Sequence, residues 1–170
     1  TEDRKGEGLL LPFSVATNIA LPNLSRLSGW AGRIKVGAVR TMARSVMERL
    51  SIRASGPGQT VGTLSGGNQQ KVVFGKWLAA EPQILILDEP TRGLDLSAKA
   101  DILRLVVERA KAGAAVLIIS SELEELMQVS HRYLVIARRR VVTSLPGNAS
   151  EDALIAALSG DTEGNQGMAA

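Results

Sequence analysis

The sequence predicts an α/β protein with a parallel sheet and a mainly helical N-terminal third. Two apolar runs, at 84–87 and 115–119, have the length and the β-branched content of buried strands. A helical apolar stripe over 97–112 separates them, and a strand, helix, strand order favours parallel pairing. We expect the first strand to be buried on both faces of the sheet, because its four residues are all aliphatic.

Residues 12–63 are predicted to be mostly helical. A short helix is expected over 15–21, beginning near Ser14 and stopped by Pro22, followed by a loop at 23–32. A second helix is expected over 33–50, where apolar residues recur at intervals of three and four, and a loop at 54–63. The stripe of that second helix consists of Val36, Val39, Met42, Ala43, Val46, Met47 and Leu50.

The rest of the chain alternates helices and strands. Ser65 is predicted to cap a helix that runs to about residue 80, and Gly113 to end the helix over 97–112. After the second strand we expect a short helix at 122–128 and a hairpin of strands 133–137 and 141–144. A last helix begins at Ser150 and ends at Gly160, and residues 161–170 are expected to be disordered.

Composition excludes several classes of protein. The 170 residues contain no cysteine, which rules out a disulfide scaffold or a thiolate metal site. The longest apolar runs are far shorter than the roughly 20 residues of a membrane helix. The first residues, TEDRK, do not resemble a secretory signal, and we expect a cytoplasmic protein.

The positive charge is concentrated in the first third. Residues 1–53 carry nine Lys and Arg against four Asp and Glu, and residues 54–170 carry eleven against thirteen. A basic surface can face nucleic acid, a membrane or an acidic partner, and it can also simply be solvated. Because aromatic residues are only 3% of the chain, we expect no base-stacking platform of the kind that binds single-stranded nucleic acid.

Residues 64–71 read LSGGNQQK and contain the first candidate for ligand binding. Ser65, Gly66 and Gly67 stand at a predicted helix N-terminus, where a hydroxyl and bare backbone N–H groups can meet an anion. Glycine lets the backbone approach a phosphate closely. The plain alternative is an ordinary capped helix.

Residues 84–95 read ILILDEPTRGLD and place acids at the carboxyl end of a strand, the edge where parallel sheets bind ligands. Asp88 is a candidate to hold Mg²⁺ through water, and Glu89 to orient or deprotonate an attacking water. The plain alternatives are two acids that solvate a strand end, and an Asp95 that only caps the next helix.

Together, the two strings resemble the ATPase subunit of ABC transporters over residues 2 to about 145. The resemblance implies a P-loop NTPase fold that binds ATP and Mg²⁺. It assigns Ser65, Gly66 and Gly67 to the signature loop, Asp88 to the Walker B aspartate, Glu89 to the catalytic carboxylate and Asp95 to the D-loop. Gln69, within the same signature string, is carried over as a nucleotide-contacting residue.

Finer details resemble the second cassette of the fused ATPases of bacterial monosaccharide importers. These details are the opening EDRKxEGL, the Asn18-Ile19 pair, GNQQK at 67–71 and Thr91-Arg92-Gly93. The resemblance implies a Q-loop-like segment at 1–11, a helical subdomain at 12–63 that docks on the membrane permease, the signature and Walker B half of the core at 64–146, and a C-terminal helix and tail at 147–170. The other partners implied are a second cassette and a periplasmic sugar-binding protein, at the inner face of the membrane.

The phosphate-gripping motif Gly-x-x-x-x-Gly-Lys-Ser/Thr does not occur in the sequence. Gly75-Lys76 is the nearest string, but Trp77 follows it and the glycine lies inside a predicted helix. In the family this loop precedes the stretch that starts at Glu2. We therefore expect a chain that lacks its phosphate-loop half and is inactive alone.

Two positions depart from the family pattern. Ser121 stands where a switch histidine is usual, and serine cannot bridge a γ-phosphate and a carboxylate as imidazole does. Glu2 stands where many cassettes have the Q-loop glutamine, and an acid there changes metal coordination. The only histidine, His131, is expected to be a surface residue. The run Arg138-Arg139-Arg140 can bind acidic headgroups, but we expect a solvated hairpin tip.

Two alternative functions remain open. The chain can be a non-catalytic fragment or a pseudo-ATPase interaction module, which the absent phosphate loop supports. It can also be a non-transport ABC ATPase of the DNA-repair type, although the roughly sixty residues before the signature show no sustained heptads.

Overall fold

A computed structural model describes residues 8–159, apart from the side chain of Ala31, and the chain divides into two compact units. The first unit extends to Ser120 and the second starts at Ser121. The division of the chain into functional segments, with boundaries after residues 11, 63 and 146, stays a prediction. The predictions for Glu2, for Gly160 and for the tail at 161–170 lie outside the described residues.

The first unit begins with helices, as the sequence predicts. Its helical elements are α1 Val15–Ala20, α2 Leu24–Leu27, α3 Val36–Arg49, α4 Gly66–Leu78 and α5 Leu96–Lys111, with 3₁₀ turns at Leu21–Asn23, Trp30–Gly32 and Val61–Thr63. Helix α1 begins where the Ser14 hydroxyl accepts a hydrogen bond from the Thr17 N–H. None of the helices in the described part of the chain is long and apolar enough to cross a bilayer.

The prediction of a loop over 23–32 is wrong. The chain continues past Pro22 into α2, and Leu27 at its end is buried. The predicted start of the next helix at residue 33 is also wrong, because residues 28–35 form a small hairpin first. Val36 is 61% exposed and does not belong to the buried stripe. The burial of Leu27 in the tertiary structure favours both α2 and the hairpin after it. The many turn-forming residues in this part of the sequence do not reveal that burial.

The core of the first unit lies between α1, α3 and α4. Val15, Ile19, Leu50, Val61 and Val72 are fully buried there. The helices approach closely at Gly75 of α4, where a Cβ would overlap Val46 Cγ1 and lie 2.8 Å from Leu50 Cδ1. Gly75 is therefore a packing glycine, and the Gly75-Lys76 string has no likeness to a phosphate loop in structure.

The sheet of the first unit is parallel, as predicted. Strand β1 Ile84–Asp88 pairs with β2 Ala115–Ile119, with Ile84 opposite Ala115 and Asp88 opposite Ile119. Helix α5 joins the strands, and Gly113 takes φ 95° where the helix ends, as its predicted role requires. The pairing brings the carboxyl ends of both strands to one edge.

The prediction that β1 is buried on both faces is wrong. Leu85 is buried and Leu87 packs against the core, but Ile84 and Ile86 are 70% and 66% exposed. Leu117 and Ile119 of β2 lie on the same open face and are nearly half exposed. An aliphatic run has the same pattern whether one or both of its faces are covered, so the sequence cannot separate the two cases.

The second unit is a hairpin with two helices. It contains α6 Leu123–Val129, β3 Arg132–Ala137, β4 Arg140–Pro146 and α7 Glu151–Ser159. The hairpin turns at Arg138 and Arg139, which have φ of 49° and 65°, as a two-residue primed turn requires. Tyr133 and Val135 are buried with Leu154 and Ala157 of α7. The Ser150 hydroxyl caps α7, as predicted, by accepting from the Ala153 N–H.

The close contact at Gly75 makes a test of the helical packing. Gly75→Ala is expected to lower the free energy of unfolding by about 1–3 kcal/mol, because its methyl group has to displace Val46 and Leu50. Gly37→Ala in α3 is the matched control, since nothing lies within 4 Å of its Cβ. That control should stabilise the chain by up to about 1 kcal/mol. Urea denaturation measures both, and a stabilising Gly75→Ala would contradict the packing.

Candidate functional site

The turn before α4 is open to solvent and well ordered by hydrogen bonds. Ser65 caps the helix with extended backbone (ψ 155°), and its hydroxyl accepts from the Asn68 N–H at 3.5 Å and from Asn68 Nδ2 at 2.9 Å. Ser65 and Gly66 are exposed and Gly67 is half-buried. Helix α4 has 13 residues and no acid in its first turn, so its N-terminus is electropositive and suits an anion.

At the end of β1 the chain presents two carboxylates and turns sharply. Asp88 is exposed at the last position of the strand. Glu89 is half-buried and takes φ 45°, a left-handed conformation that costs a residue with a side chain about 1 kcal/mol or more. The Glu89 N–H donates to the Ile119 carbonyl at 2.9 Å, which continues the sheet pairing one residue beyond the strand.

The loop that follows packs inward before the next helix begins. Pro90 and Thr91 are buried, and the Leu94 N–H donates to the Thr91 carbonyl at 3.1 Å. Gly93 has φ 71°, which glycine adopts without a steric penalty. Leu94 is buried, so the loop is anchored on both sides of its turn.

Asp95 caps α5. Its Oδ1 accepts a hydrogen bond from the Ala98 N–H at 2.9 Å while the residue itself stays exposed. The capping role that the sequence left open is therefore real. The assignment of Asp95 to the D-loop is compatible with this cap and stays a prediction.

The structure brings the glycine turn and the acidic loop together. A Cβ placed on Gly67 would lie 3.7 Å from Leu94 Cδ2. Gln70, one turn into α4, donates from Nε2 to the Pro90 carbonyl at 3.2 Å. The Oε1 atom of the same amide is buried and has no hydrogen-bond partner among the described residues. The glycine turn at 65–67 and the start of α4 are thus fixed to Pro90, the residue that follows Glu89.

Other polar side chains of α4 have structural roles that the sequence analysis missed. Gln69 is buried, and its Nε2 donates to the Val61 and Leu64 carbonyls at 3.3 and 3.1 Å. This position favours support of the turn over contact with a nucleotide. Lys71 forms an ion pair of 3.2 Å with Asp101 of α5. The sequence contained one signal for these roles. Gln69 and Lys71 stand close to Val72 on one helix, and polar side chains that are buried beside an apolar residue need polar partners.

Lys76 is also buried and ties α4 to the start of the described chain. Its Nζ donates to the Gly8 carbonyl at 2.6 Å and lies 5.3 Å from the centre of the Trp77 ring. Burial lowers the pKa of Lys76 from its ordinary value of 10.5, because desolvation disfavours the charged amine. The described end of the predicted Q-loop-like segment at 1–11 is therefore held on α4.

Two predicted site residues lie outside the described part of the first unit. Ser121 belongs to the second unit, whereas Glu89 belongs to the first, and Glu2 lies outside the described residues. Their roles stay predictions. His131 is exposed.

The acidic strand end suits a magnesium ion that arrives with a nucleotide. Mg²⁺ is commonly held by one or two carboxylates together with phosphates and water, and Asp88 offers one exposed carboxylate. Among residues 8–159, no three His, Asp or Glu side chains cluster closely enough to hold a metal alone. The one exposed carboxylate of Asp88 fits a Mg²⁺ ion that is also held by phosphates and water.

A capped glycine turn beside an acidic strand end, on a parallel sheet, fits the arrangement that the resemblance to ATP-binding cassettes predicts. A sequence model described as ABC transporter matches residues 10–92. The chain is 48% identical over 165 residues to the ribose import ATP-binding protein RbsA 2 of Streptomyces coelicolor. The aligned residues are 96% of this chain and 32% of that protein. These matches identify the chain as part of an ABC transporter ATP-binding domain, and the predicted partial α/β P-loop NTPase fold is confirmed.

Further relatives agree. The ribose import ATP-binding protein RbsA of Geobacillus kaustophilus is 47% identical over 155 residues, which are 91% of this chain and 31% of that protein. The chain thus spans about a third of the length of these curated relatives. A solved dimeric ATP-binding cassette in a post-hydrolysis state with ADP and Pi superposes with a TM-score of 0.72 at 20% identity, over 84% of this chain and 60% of that one. An ADP-bound cassette of another ABC transporter gives 0.63 at 20% identity, over 88% and 60%. At that identity these structures show the fold alone.

The cap at Asp95 provides a test of the loop after β1. Asp95→Ala is expected to lower the free energy of unfolding by about 1 kcal/mol, because the Ala98 N–H loses its acceptor. Asp95→Asn keeps an equally good cap and should change stability by less than about 0.5 kcal/mol. Urea denaturation compares the two variants. Equal losses would show that the carboxylate charge, rather than the cap, stabilises this turn.

Proposed function

We propose that this chain is the signature and Walker B part of the second ATP-binding cassette of a monosaccharide importer, where ATP hydrolysis energises sugar uptake. The observation that carries the proposal is the contact between the exposed glycine turn at 65–67 and the loop that follows Glu89. The identity of 48% to a protein that is named for ribose import supports the substrate class.

Each site residue has a proposed role. Ser65, Gly66 and Gly67 close over the phosphates of ATP that is gripped by the other cassette, with the electropositive end of α4 behind them. Asp88 holds Mg²⁺ through water, and Glu89 orients the attacking water at the second cassette's own site. The bound metal supplies charge neutralisation on the phosphates. Asp95 lies at the interface between the cassettes, and Gln69 supports the signature turn from behind.

Ser121 and Glu2 are proposed to border the second cassette's own nucleotide. Serine lacks a group that titrates near neutral pH, so the second cassette's own site is expected to hydrolyse ATP slowly. The faster site is then the one where the other cassette grips ATP and this chain contributes Ser65, Gly66 and Gly67.

The isolated chain is proposed to be inactive. The sequence contains no phosphate-gripping motif, and the string that came nearest to one is packed inside α4 against Val46 and Leu50. ATP is therefore held only when a phosphate loop is supplied by another segment.

The proposed partners follow from the family. The helical residues 12–63 dock on membrane permease subunits, a second cassette faces the signature turn, and a periplasmic sugar-binding protein completes the complex. The chain then works at the cytoplasmic face of the membrane. We propose no nucleic-acid partner.

Two substitutions at Ser65 test the function while the helix stays capped. We would place this chain in a hybrid, where it replaces the matching segment of the Streptomyces coelicolor relative. Ser65→Asp keeps the cap but sets a negative charge against the ATP phosphates, and it should lower ATPase activity and ribose uptake by about 100-fold. Ser65→Asn keeps both the cap and neutrality and should retain most of the activity.

Glu89→Gln is the second arm of this experiment. Because Glu89 serves the slower site, its loss should lower the ATPase activity of the hybrid less than Ser65→Asp does. Circular dichroism confirms that each hybrid is folded. Full activity in the Ser65→Asp hybrid would contradict the proposed role of the signature turn.

A further inference from the structure

A small hairpin projects from the helical part of the first unit. It comprises residues 27–35 and is called here the Trp30 hairpin. The Lys35 N–H donates to the Leu27 carbonyl at 2.9 Å, and the Gly29 N–H donates to the Arg33 carbonyl at 2.8 Å. Gly32, with φ 70°, turns the chain at the tip. The hairpin is therefore held by its own backbone.

Its tip and its base expose apolar side chains. Trp30 is 95% exposed, Ile34 is 50% exposed and Val36, the first residue of α3, is 61% exposed. Tryptophan is on average one of the more buried residues, so an almost fully exposed ring at a turn indicates a contact surface. The ring combines an apolar body with a polar N–H, a combination that suits the boundary between water and lipid.

The same region is strongly basic. No Asp or Glu occurs anywhere between Gly8 and Met47 in the sequence. Four cations around the hairpin are exposed: Arg33, Lys35, Arg40 and Arg44. None of the four forms an ion pair with a described residue, whereas Arg26 nearby is paired with Glu81 at 3.4 Å.

The cations lie close to the apolar residues. Lys35 runs along the hairpin, because its Cε lies 3.3 Å from where a Gly29 Cβ would be, one residue before Trp30. Arg40 and Arg44 are four residues apart on α3 and follow Val36 at the same interval, so the three side chains share one helix face. The result is a single surface of mixed apolar and positive character.

We propose that the Trp30 hairpin and the adjoining face of α3 bind the surface of an anionic phospholipid bilayer. Such a surface offers negative phosphates above an apolar layer, which matches both components of the patch. A nucleic-acid backbone matches the charge but gives the exposed aliphatic side chains nothing to bury. The proposal does not depend on the sugar-import function, and its test uses this chain without a permease.

Tryptophan fluorescence tests the proposal directly. The chain has two tryptophans, and Trp77→Phe leaves Trp30 as the sole reporter. Vesicles of phosphatidylcholine with phosphatidylglycerol should sediment this variant and shift the Trp30 emission to shorter wavelength. Vesicles of phosphatidylcholine alone should do neither, and high salt should release the bound chain.

Matched variants separate the patch from overall charge. Arg33→Gln with Lys35→Gln should weaken binding about 25-fold, since each cation near an anionic surface contributes about fivefold. Trp30→Ala should weaken binding measurably at unchanged charge. Arg104→Gln with Lys111→Gln removes the same charge from α5, and Leu117→Thr alters the open sheet face; both should bind as the parent does. Circular dichroism checks that every variant is folded.

Four outcomes would overturn the proposal. The first is an unchanged Trp30 emission on anionic vesicles. The second is equal weakening by the α5 charge variant, which would show that only net charge matters. The third is loss of binding in Leu117→Thr but not in Trp30→Ala, which would assign binding to the sheet. The fourth is binding to duplex DNA that is tighter than binding to vesicles and is lost in the same hairpin variants.

Discussion

The site depends on one backbone constraint at Glu89. This residue takes φ 45°, and its N–H bonds to the Ile119 carbonyl, so the chain leaves β1 through a turn that the neighbouring strand fixes. A left-handed conformation at glutamate persists only where the surrounding structure determines it. Here Pro90 and Thr91 are buried directly after it, and Asp95 starts α5 within one further turn. The two carboxylates at the sheet edge are therefore held by the pairing of β1 with β2.

The same turn connects the acidic edge to the signature helix. Gln70 bonds to the Pro90 carbonyl, and Lys71 pairs with Asp101 of α5, so α4 is attached to both sides of the Walker B loop. The Oε1 of Gln70, which has no hydrogen-bond partner within residues 8–159, is a buried acceptor of the kind that costs about 1–3 kcal/mol. A displacement of the loop after Glu89 would therefore also displace the glycine turn at 65–67. This coupling suits a cassette whose signature turn completes one nucleotide site while its acids serve another.

Sequence reasoning reached most of the fold because the elements have strong local signals. The Ser65 and Ser150 caps, the Gly113 helix end and the parallel pair of strands all follow from residue type and spacing. The short α2 and the hairpin before α3 were missed, since burial of Leu27 decides them and turn-forming residues conceal it.

The sequence predicts which residues form the candidate site, but it does not predict the contacts that connect them. The motifs identify Ser65, Asp88 and Glu89, yet the bond from Gln70 to Pro90 joins residues that are 20 positions apart. No single-sequence pattern encodes such a contact. The exposed face of β1 was missed for a related reason, because the spacing of Ile84 and Ile86 does not reveal what covers them.

The central claim is that this chain contributes a signature turn and two acids, while the phosphate grip comes from elsewhere. Calorimetric titration of the purified chain with Mg-ATP, beside the Glu89→Gln variant, tests it most directly. We expect no saturable binding up to millimolar nucleotide for either protein. Saturable micromolar binding, altered by Glu89→Gln, would show that residues assigned here to packing form a complete phosphate site, and it would contradict the account.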